Sequence, residues 1–588
     1  MKQGLWTAIL CLFTHNTNAQ LFAPLTNSPL TSTPGDSRSV NIIDLNNDGL
    51  EDIYITNGLQ GGQNNELYLN LGNGQFIPIT NDPMVQDNSP SDGATCADTD
   101  NDGDLDCFMV TWYGQRNYYY VNIGDTSFQH LPDAITGSLG TYSETAAFAD
   151  YNRDGRVDIY ITNSEGDKRN LLYRNDGNHV FAKITAPWLN ENKLSRAAVW
   201  ADYDNDGDPD LYVANENQTA NQLFRNDGSD SFFKVTNDPS VQEAQSSMTA
   251  SWGDVNNDGW QDLFVGNAGY FQAQTNRLFL NNGSGGFTAA AAGPISTDAS
   301  CTYGSAFADY DNDGDLDLWV SNGFCNAPLV NYLYQNDGTG QFTRDLTALG
   351  DFTTPCSFGS AWGDLDNNGF PDLVVSTCKN TSAAPLPNNI VWMNQGNGHH
   401  WLKIQLAGTV SNRSAIGAQI RLFATINGQN TVQLREISAQ TGYCGQNSLI
   451  AHFGLGSTTQ ADSVQVWWPS GIKQTFHNLP SDAQILLTEN NSSVGTSPGL
   501  TAPFRLVVAP NPVEDTLRFT LESETVLAPV TYTLSHPDGR VFRTESAAHL
   551  PVGRTTVAWS TANLSPGMYW LTVETGSGKR VVPVVRNR

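Results

Sequence analysis

Positive charge is scarce in this chain. Its 588 residues carry 30 Lys plus Arg against 60 Asp plus Glu, a formal net charge of −30. No basic stripe could track a phosphate backbone, which excludes nucleic acid as a partner. Histidine is sparse too. Between residues 20 and 398 only His130 and His179 occur, neither beside a recognisable catalytic partner. There is no HExxH pair and no Gly-rich phosphate loop. With so little general acid–base equipment, the chain is expected not to be an enzyme. Long apolar runs are missing as well. Residues 1–19 read as a secretory signal, with Lys2, a short apolar run from Leu5 to Phe13, and Thr17-Asn18-Ala19 as the cleavage site. That run is too short to cross a bilayer, and no other stretch is long enough for a transmembrane helix.

What the chain has in abundance is one acidic loop. Its clearest copy is Asp309-Tyr310-Asp311-Asn312-Asp313-Gly314-Asp315-Leu316-Asp317. Oxygen side chains stand at positions 1, 3, 5 and 9, and glycine stands at 6. The loop occurs seven times, starting at Asp44, Asp98, Asp150, Asp202, Asp254, Asp309 and Asp364, in steps of 54, 52, 52, 52, 55 and 55 residues. The candidate ligands of the first three copies are Asp44, Asn46, Asp48 and Asp52; Asp98, Asp100, Asp102 and Asp106; and Asp150, Asn152, Asp154 and Asp158. Those of the next two are Asp202, Asp204, Asp206 and Asp210, then Asp254, Asn256, Asp258 and Asp262. The last two offer Asp309, Asp311, Asp313 and Asp317, then Asp364, Asp366, Asn368 and Asp372. Position 7 varies freely, as it would if only its carbonyl mattered.

Hard oxygen ligands alternating on a tight turn are the chemistry of Ca²⁺; Mg²⁺ rarely uses dedicated all-protein cages. An EF-hand would need Glu at position 12, where this chain has Ile55, Met109, Ile161, Val213, Val265, Val320 and Val375. About seven structural Ca²⁺ are therefore expected. The loops hold 27 Asp and one Glu, nearly half of the 60 acidic residues, so the acidity is mainly a metal-site signature.

The cysteines follow the same loops. Counted from the first Asp of their own loop, Cys96 and Cys107 fall at −2 and +9, Cys301 and Cys325 at −8 and +16, and Cys356 and Cys378 at −8 and +14. The sums are near-constant, as for residues facing each other across a hairpin. Three disulfides are expected, in keeping with an oxidising compartment, and Cys444 is left unpaired.

Each repeat predicts four short strands. A small-residue strand precedes the loop (Ala146-Ala147-Phe148-Ala149) and an alternating one follows it (Asp158-Ile159-Tyr160-Ile161). A third is flanked by Asn (Asn276 to Asn281), and a fourth opens on Phe76, Phe128, Phe181, Phe232, Phe287 or Phe342. Four strands per ~50-residue repeat describe propeller blades. The seventh repeat lacks the fourth strand, yet Phe22 lies 22 residues before Asp44, the offset found for most of the other phenylalanines. Residues 20–30 are therefore expected to supply the outer strand of blade seven and remove an exposed edge.

These loops resemble the FG-GAP/VCBS repeats of integrin-like propellers, over about residues 20–397. That resemblance implies an all-β, seven-bladed β-propeller in which calcium braces each blade. From residue 398 to 489 the chain resembles the ASPIC/UnbV domain of cartilage-acidic-protein-like proteins, through Asn412-Arg413-Ser414-Ala415-Ile416-Gly417-Ala418, His452-Phe453-Gly454-Leu455-Gly456 and Val466-Trp467-Trp468-Pro469-Ser470-Gly471. Arg413, His452 and Trp467 are its candidate ligand contacts, with a structural role the simpler expectation. Residues 490–502 form a polar linker. Residues 503–588 resemble the C-terminal sorting domain of type IX secretion substrates, through Pro510-Asn511-Pro512-Val513, Asp538-Gly539-Arg540-Val541 and Leu564-Ser565-Pro566-Gly567-Met568-Tyr569. This implies a β-rich domain handled by the type IX export machinery, and a protein secreted or held on the bacterial cell surface.

The expected function is adhesion or ligand binding, with an extracellular carbohydrate or protein as ligand. Candidate contacts are the aromatics between second and third strands, Trp112, Tyr113, Tyr270, Phe271 and Phe324, for which blade packing is the plainer reading. The alternative is a calcium-dependent polysaccharide lyase or sugar dehydratase on the same scaffold.

Overall fold

The computed structural model describes residues 20–124, 126–132, 135, 141–228, 230–269, 271–326, 329–349, 355–381, 383–489, 504–508, 516–523, 527–535, 540–565, 567–575 and 578–586. The expected signal, the linker, Tyr270, and the Pro510–Val513 and Asp538–Gly539 motifs lie outside the described residues.

The described residues are almost wholly β; the helices are short turns such as Pro239–Gln242 and Pro294–Thr297. Each acidic loop joins the first two strands of a four-stranded antiparallel arrangement. In the sixth, Thr302–Ala308, Asp317–Asn322, Tyr332–Asn336 and Phe342–Arg344 pair in sequence order. The second strand is buried along its whole length, which explains why it reads as a nearly continuous apolar run. The third-strand Asn always faces the fourth-strand Phe: Asn70 and Phe76, Asn122 and Phe128, Asn175 and Phe181, Asn226 and Phe232, Asn281 and Phe287, Asn336 and Phe342. In the seventh sheet that outer place is held by Phe22–Pro24, with Phe22 opposite Asn394. Phe22 is 1% exposed and packs against Tyr310 and Trp362. The first strands neighbour one another in chain order, and that of the seventh sheet, Ser357–Gly363, lies beside that of the first, Ser37–Ile43.

The disulfides are Cys96–Cys107, which joins the two strands flanking its loop, and Cys301–Cys325 and Cys356–Cys378, which join the chain just beyond the ends of such strands; Cys444 is free and buried. Strand register makes the first pair inevitable, since Cys96 stands directly opposite Cys107.

The following module belongs to the same compact unit. His400–Ala407 pairs with Ala451–Gly456 and with Ala483–Thr488, and Gln419–Ile426 pairs with Gln429–Glu436 and Gln460–Trp467. Between Glu436 and Ala451 the chain enters the space among the seven first strands. There Gly445–Gln446 pairs in parallel with Ser37–Ile43. The Gln446 amide exchanges two hydrogen bonds with the Cys96 backbone, both 2.8 Å. Gly359 makes this entry possible, because a Cβ there would stand 2.1 Å from the Cys444 carbonyl oxygen.

The C-terminal segment forms a second unit of two antiparallel sheets. Leu517, Phe519, Tyr532, Trp559, Leu571 and Val573 make its core.

The burial of Phe22 gives a direct test of the N-terminal strand. Phe22→Ala should cost about 3–5 kcal/mol, the usual penalty for emptying a buried phenylalanine site. Denaturant unfolding of the variant is the measurement; an unchanged midpoint would show that this strand does not hold the seventh sheet together.

Candidate functional site

The seven loops share one hydrogen-bond pattern. The carboxylate at position 1 accepts from the backbone N–H groups of positions 5 and 6: Asp313 and Gly314 donate to Asp309 at 3.0 and 2.9 Å. The same bonds recur from the first loop, at 3.2 and 2.9 Å to Asp44, to the last, at 2.9 Å each to Asp364. Gly314 has φ of 103° and Asn312 has φ of 58°, so the turn needs a left-handed residue at both position 4 and position 6.

Position 9 looks the other way. One oxygen of its carboxylate accepts the backbone N–H of the Asn ending the third strand, at 2.6 to 2.9 Å in all seven repeats. That Asn then reaches out of its own sheet. Its Nδ2 donates to the carbonyl at position 2 of the preceding loop: Asn122 to Leu45, Asn175 to Thr99, Asn226 to Tyr151, Asn281 to Tyr203, Asn336 to Val255 and Asn394 to Tyr310, at 2.7 to 3.0 Å. Asn70 makes the same bond to Leu365 of the seventh loop, at 2.8 Å. Position 4 adds a second stitch, from Asn47, Asn101, Asn205, Asn257 and Asn312 to the Gly carbonyl of the next loop. Neither set of asparagines stood among the sequence-derived candidates. Their signal was present, since Asn fills position 4 in six of seven loops.

Four loops bring three carboxylates within 4.8 Å of one another: Asp98, Asp100 and Asp102; Asp202, Asp204 and Asp206; Asp309, Asp311 and Asp317; and Asp364, Asp366 and Asp372. The copies starting at Asp44, Asp150 and Asp254 have Asn46, Asn152 and Asn256 at position 3, and the Asp364 copy has Asn368 at position 5, so these four offer three Asp ligands each against four in the others. Burial, then Asp206 and Asp204, pushes the Asp202 carboxyl up to about 7. Burial, then Asp313 and Asp311, drives Asp309 well above the usual carboxylate range. One buried oxygen each of Asp158 and Asp317 has no hydrogen-bond partner. Crowded, buried, partly unsatisfied carboxylates are a donor set that fits a hard cation.

The second module sits on these loops. Lys403 donates to Asp364 at 2.6 Å and to Asn367 at 2.9 Å. The Gly454 N–H donates to Asp309 at 3.0 Å, and the Asp98 N–H to Ser414 at 3.0 Å. The candidate contacts of this module have structural partners: the Arg413 N–H donates to Asn101, His452 Nε2 meets the Gly369 carbonyl, and Trp467 lies under Arg421 and Lys473.

Away from the loops, one residue from each first strand, Tyr443 and residues that follow the second strands line an open cavity of about 190 Å³. Trp112, Tyr113, Phe271 and Phe324 all line it, so four of the five candidate aromatics converge on one space. Tyr113, Phe271 and Phe324 have φ of 60°, 65° and 44°. A left-handed aromatic costs about 1–3 kcal/mol and is typical of functional positions. The polar part is one bonded chain. Arg38 pairs with Asp36 at 3.1 Å and Asp92 at 3.5 Å, the Tyr443 hydroxyl bridges Asp92 and Glu144, and Arg196 pairs with Glu144 and Glu216 at 2.7 Å each. Burial and then Glu144 raise the Asp92 carboxyl, whereas Glu144, which burial alone would raise, is held low by Arg196 and by the Ser164 and Tyr443 hydroxyls.

Comparison with known proteins agrees with the loops. An FG-GAP-like repeat model matches residues 44–109, 98–161, 150–213, 202–265 and 254–320. Residues 44–320, a little under half of the chain, thus carry FG-GAP-like repeats. An ASPIC and UnbV model matches residues 408–494, and a secretion system C-terminal sorting domain model matches residues 507–585. Cartilage acidic protein 1 of Xenopus tropicalis is 30% identical over 271 residues, covering 45% of this chain and 40% of that protein; the Homo sapiens protein is 29% identical over 280 residues, covering 46% and 40%. The chain thus spans well under half the length of the curated relatives it matches. Among solved structures, SapL1 lectin in complex with alpha methyl fucoside aligns at TM-score 0.33 and 13% identity, covering 54% of this chain and 97% of that one. Sqt1 of Saccharomyces cerevisiae aligns at 0.34 and 9%, covering 76% and 98%. Alignments this loose carry no argument about ligand. The sorting domain makes the chain a secreted or cell-surface protein, and among the described residues no helix is long and apolar enough to cross a membrane.

The asparagine stitches are testable singly. Asn336→Ala strips Nδ2 from two buried carbonyls, those of Val255 and Leu316. The loss should be about 1–3 kcal/mol, the penalty for unsatisfied buried polar groups. Equilibrium unfolding reads it, and a change below about 0.5 kcal/mol, the usual range of surface substitutions, would mean that the stitch is ornamental.

Proposed function

We propose that the protein is a secreted or cell-surface ligand-binding module on a closed, seven-bladed propeller braced by about seven structural Ca²⁺. On this reading residues 20–397 form the propeller, 398–489 the module seated on its loop face, 490–502 a linker, and 503–588 the domain read by the type IX export machinery. The observation that carries the binding role is the convergence of Trp112, Tyr113, Phe271 and Phe324 on one cavity. Propellers present ligands to such rigid surroundings. Ring closure is supported by the Phe22–Asn394 pairing and by the Asn70–Leu365 bond.

In each loop the side chains at positions 1, 3, 5 and 9, such as Asp309, Asp311, Asp313 and Asp317, would hold the ion. Calcium would neutralise carboxylates that otherwise repel one another, and its role is structural. FG-GAP-like and ASPIC and UnbV domains are in general non-catalytic. A lyase or dehydratase needs a base beside an open metal position. His130 packs on Tyr118 and Tyr120, away from any loop, whereas His179 contacts the Tyr119 hydroxyl at 3.0 Å and stands 3.3 Å from Asp100, a candidate ligand of the second loop.

Calcium removal tests the reading. At a site Kd of ~10⁻⁴ M and ~2 mM Ca²⁺, each site adds roughly 1.8 kcal/mol. Chelator should lower the melting temperature steeply, and metal analysis should find about seven Ca²⁺ per chain. A melting curve indifferent to chelator, with no calcium bound, would overturn the calcium brace.

A further inference from the structure

The residue six places before each loop's first aspartate lines the cavity in all seven repeats. In four consecutive sheets it is charged: Arg38, Asp92, Glu144 and Arg196. In the other three it is Met248, Tyr303 and Phe358. Since the first strands neighbour one another in order, the cavity has one charged side and one apolar side. Phe324 extends the apolar side, with ring centroids 5.3 Å from Tyr303 and 5.9 Å from Phe358, and the Arg38 guanidinium closes one end of that side, 5.3 Å over the Phe324 ring and 4.8 Å over the Phe358 ring. Tyr113 and Phe271, 36% and 43% exposed, stand at the rim and leave the cavity open to solvent.

The charged groups of the lining are already paired within the wall: Arg38 with Asp92, and with Asp36 outside the lining, and Arg196 with Glu144 and Glu216. A cationic ligand would confront two guanidinium groups, and an anionic one would confront three carboxylates. A neutral ligand confronts neither. It meets planar donors and acceptors on one side and aromatic faces on the other. A sugar ring has that division, with C–H groups on a face and hydroxyls around its edge. The volume, about 190 Å³, falls below the ~300–1,000 Å³ of drug-sized pockets and suits a single ring.

We propose that this cavity binds one neutral sugar ring, the terminal unit of a glycan. Its C–H face rests on Phe324 and Tyr303, and its hydroxyls bond to Arg38, Asp92, Glu144 and Arg196. The proposal deepens the ligand-binding reading and rests on it. Tyr443 gives the second module a part in the site, because its hydroxyl bridges Asp92 and Glu144 at the floor.

The test is binding of the full secreted chain, with calcium, to an array of neutral glycans, acidic glycans and extracellular matrix proteins. The expected result is capture by neutral glycans sharing one terminal sugar. The free methyl glycoside of that sugar should compete, and Phe324→Ala should weaken capture at least ten-fold at an unchanged melting temperature. Tyr113→Ala, at the exposed rim, should weaken it several-fold and serves if Phe324→Ala does not fold. Capture by acidic glycans or proteins alone, or neutral-glycan capture undiminished in both variants, overturns the sugar site and leaves the binding-module reading standing. Capture by nothing overturns both.

Discussion

A buried carboxylate stands at position 9 of each loop, and the backbone bonds it accepts tie three pieces of chain together. Asp262 accepts from the Val255 N–H within its own loop and from the Asn281 N–H at the end of the third strand. Asn281 then spends its amide on the Gln261 and Tyr203 carbonyls, the second belonging to the preceding loop. An isolated buried carboxylate would be intolerable, and one with two backbone donors is acceptable. The remaining negative charge of the loop is what a divalent ion would neutralise. Calcium and inter-sheet packing are thus not separate sources of stability in the proposed propeller: the ion, the carboxylate and the asparagine amide act on the same few atoms.

Much of this was legible in the sequence because it repeats. Asp at positions 1 and 9, Gly at 6 and a Phe-led fourth strand recur with the same spacing, and periodicity exposes whatever every copy needs. The disulfides were legible for a related reason: offsets on either side of a loop must sum to a constant if two residues face each other, as Cys96 and Cys107 do. The asparagines at position 4 and at the third-strand end were visible as letters but not as bonds. Their partners lie in the neighbouring repeat, and spacing within one repeat does not reveal that.

The segment from Glu436 to Ala451 was not legible at all. Nothing local marks it as an insert among the first strands; only the space left by glycines such as Gly359 admits it. The same holds for the residues six places before each loop. A search for repeats rewards identity, and these seven positions have none: two Arg, two carboxylates, Met, Tyr and Phe. In sequence they look like noise between a shared Ser or Thr and a shared Asp.

That variation is itself an argument about function. A position that served only the scaffold would be solved the same way in each repeat, as the Ser or Thr just before it is: Ser37, Ser91, Ser143, Ser195, Ser247, Thr302 and Ser357. The next residue instead breaks the repeat symmetry. Buried Glu144 faces Arg196 from the neighbouring sheet, and Asp92 faces Arg38. Removing either partner of a buried pair leaves an uncompensated charge, a strongly destabilising change. Replacing both by apolar groups is often neutral, so stability alone gives little reason to keep the pairs. An asymmetric, internally paired wall facing an aromatic one, inside an otherwise repetitive frame, is better explained by a ligand that is itself two-faced.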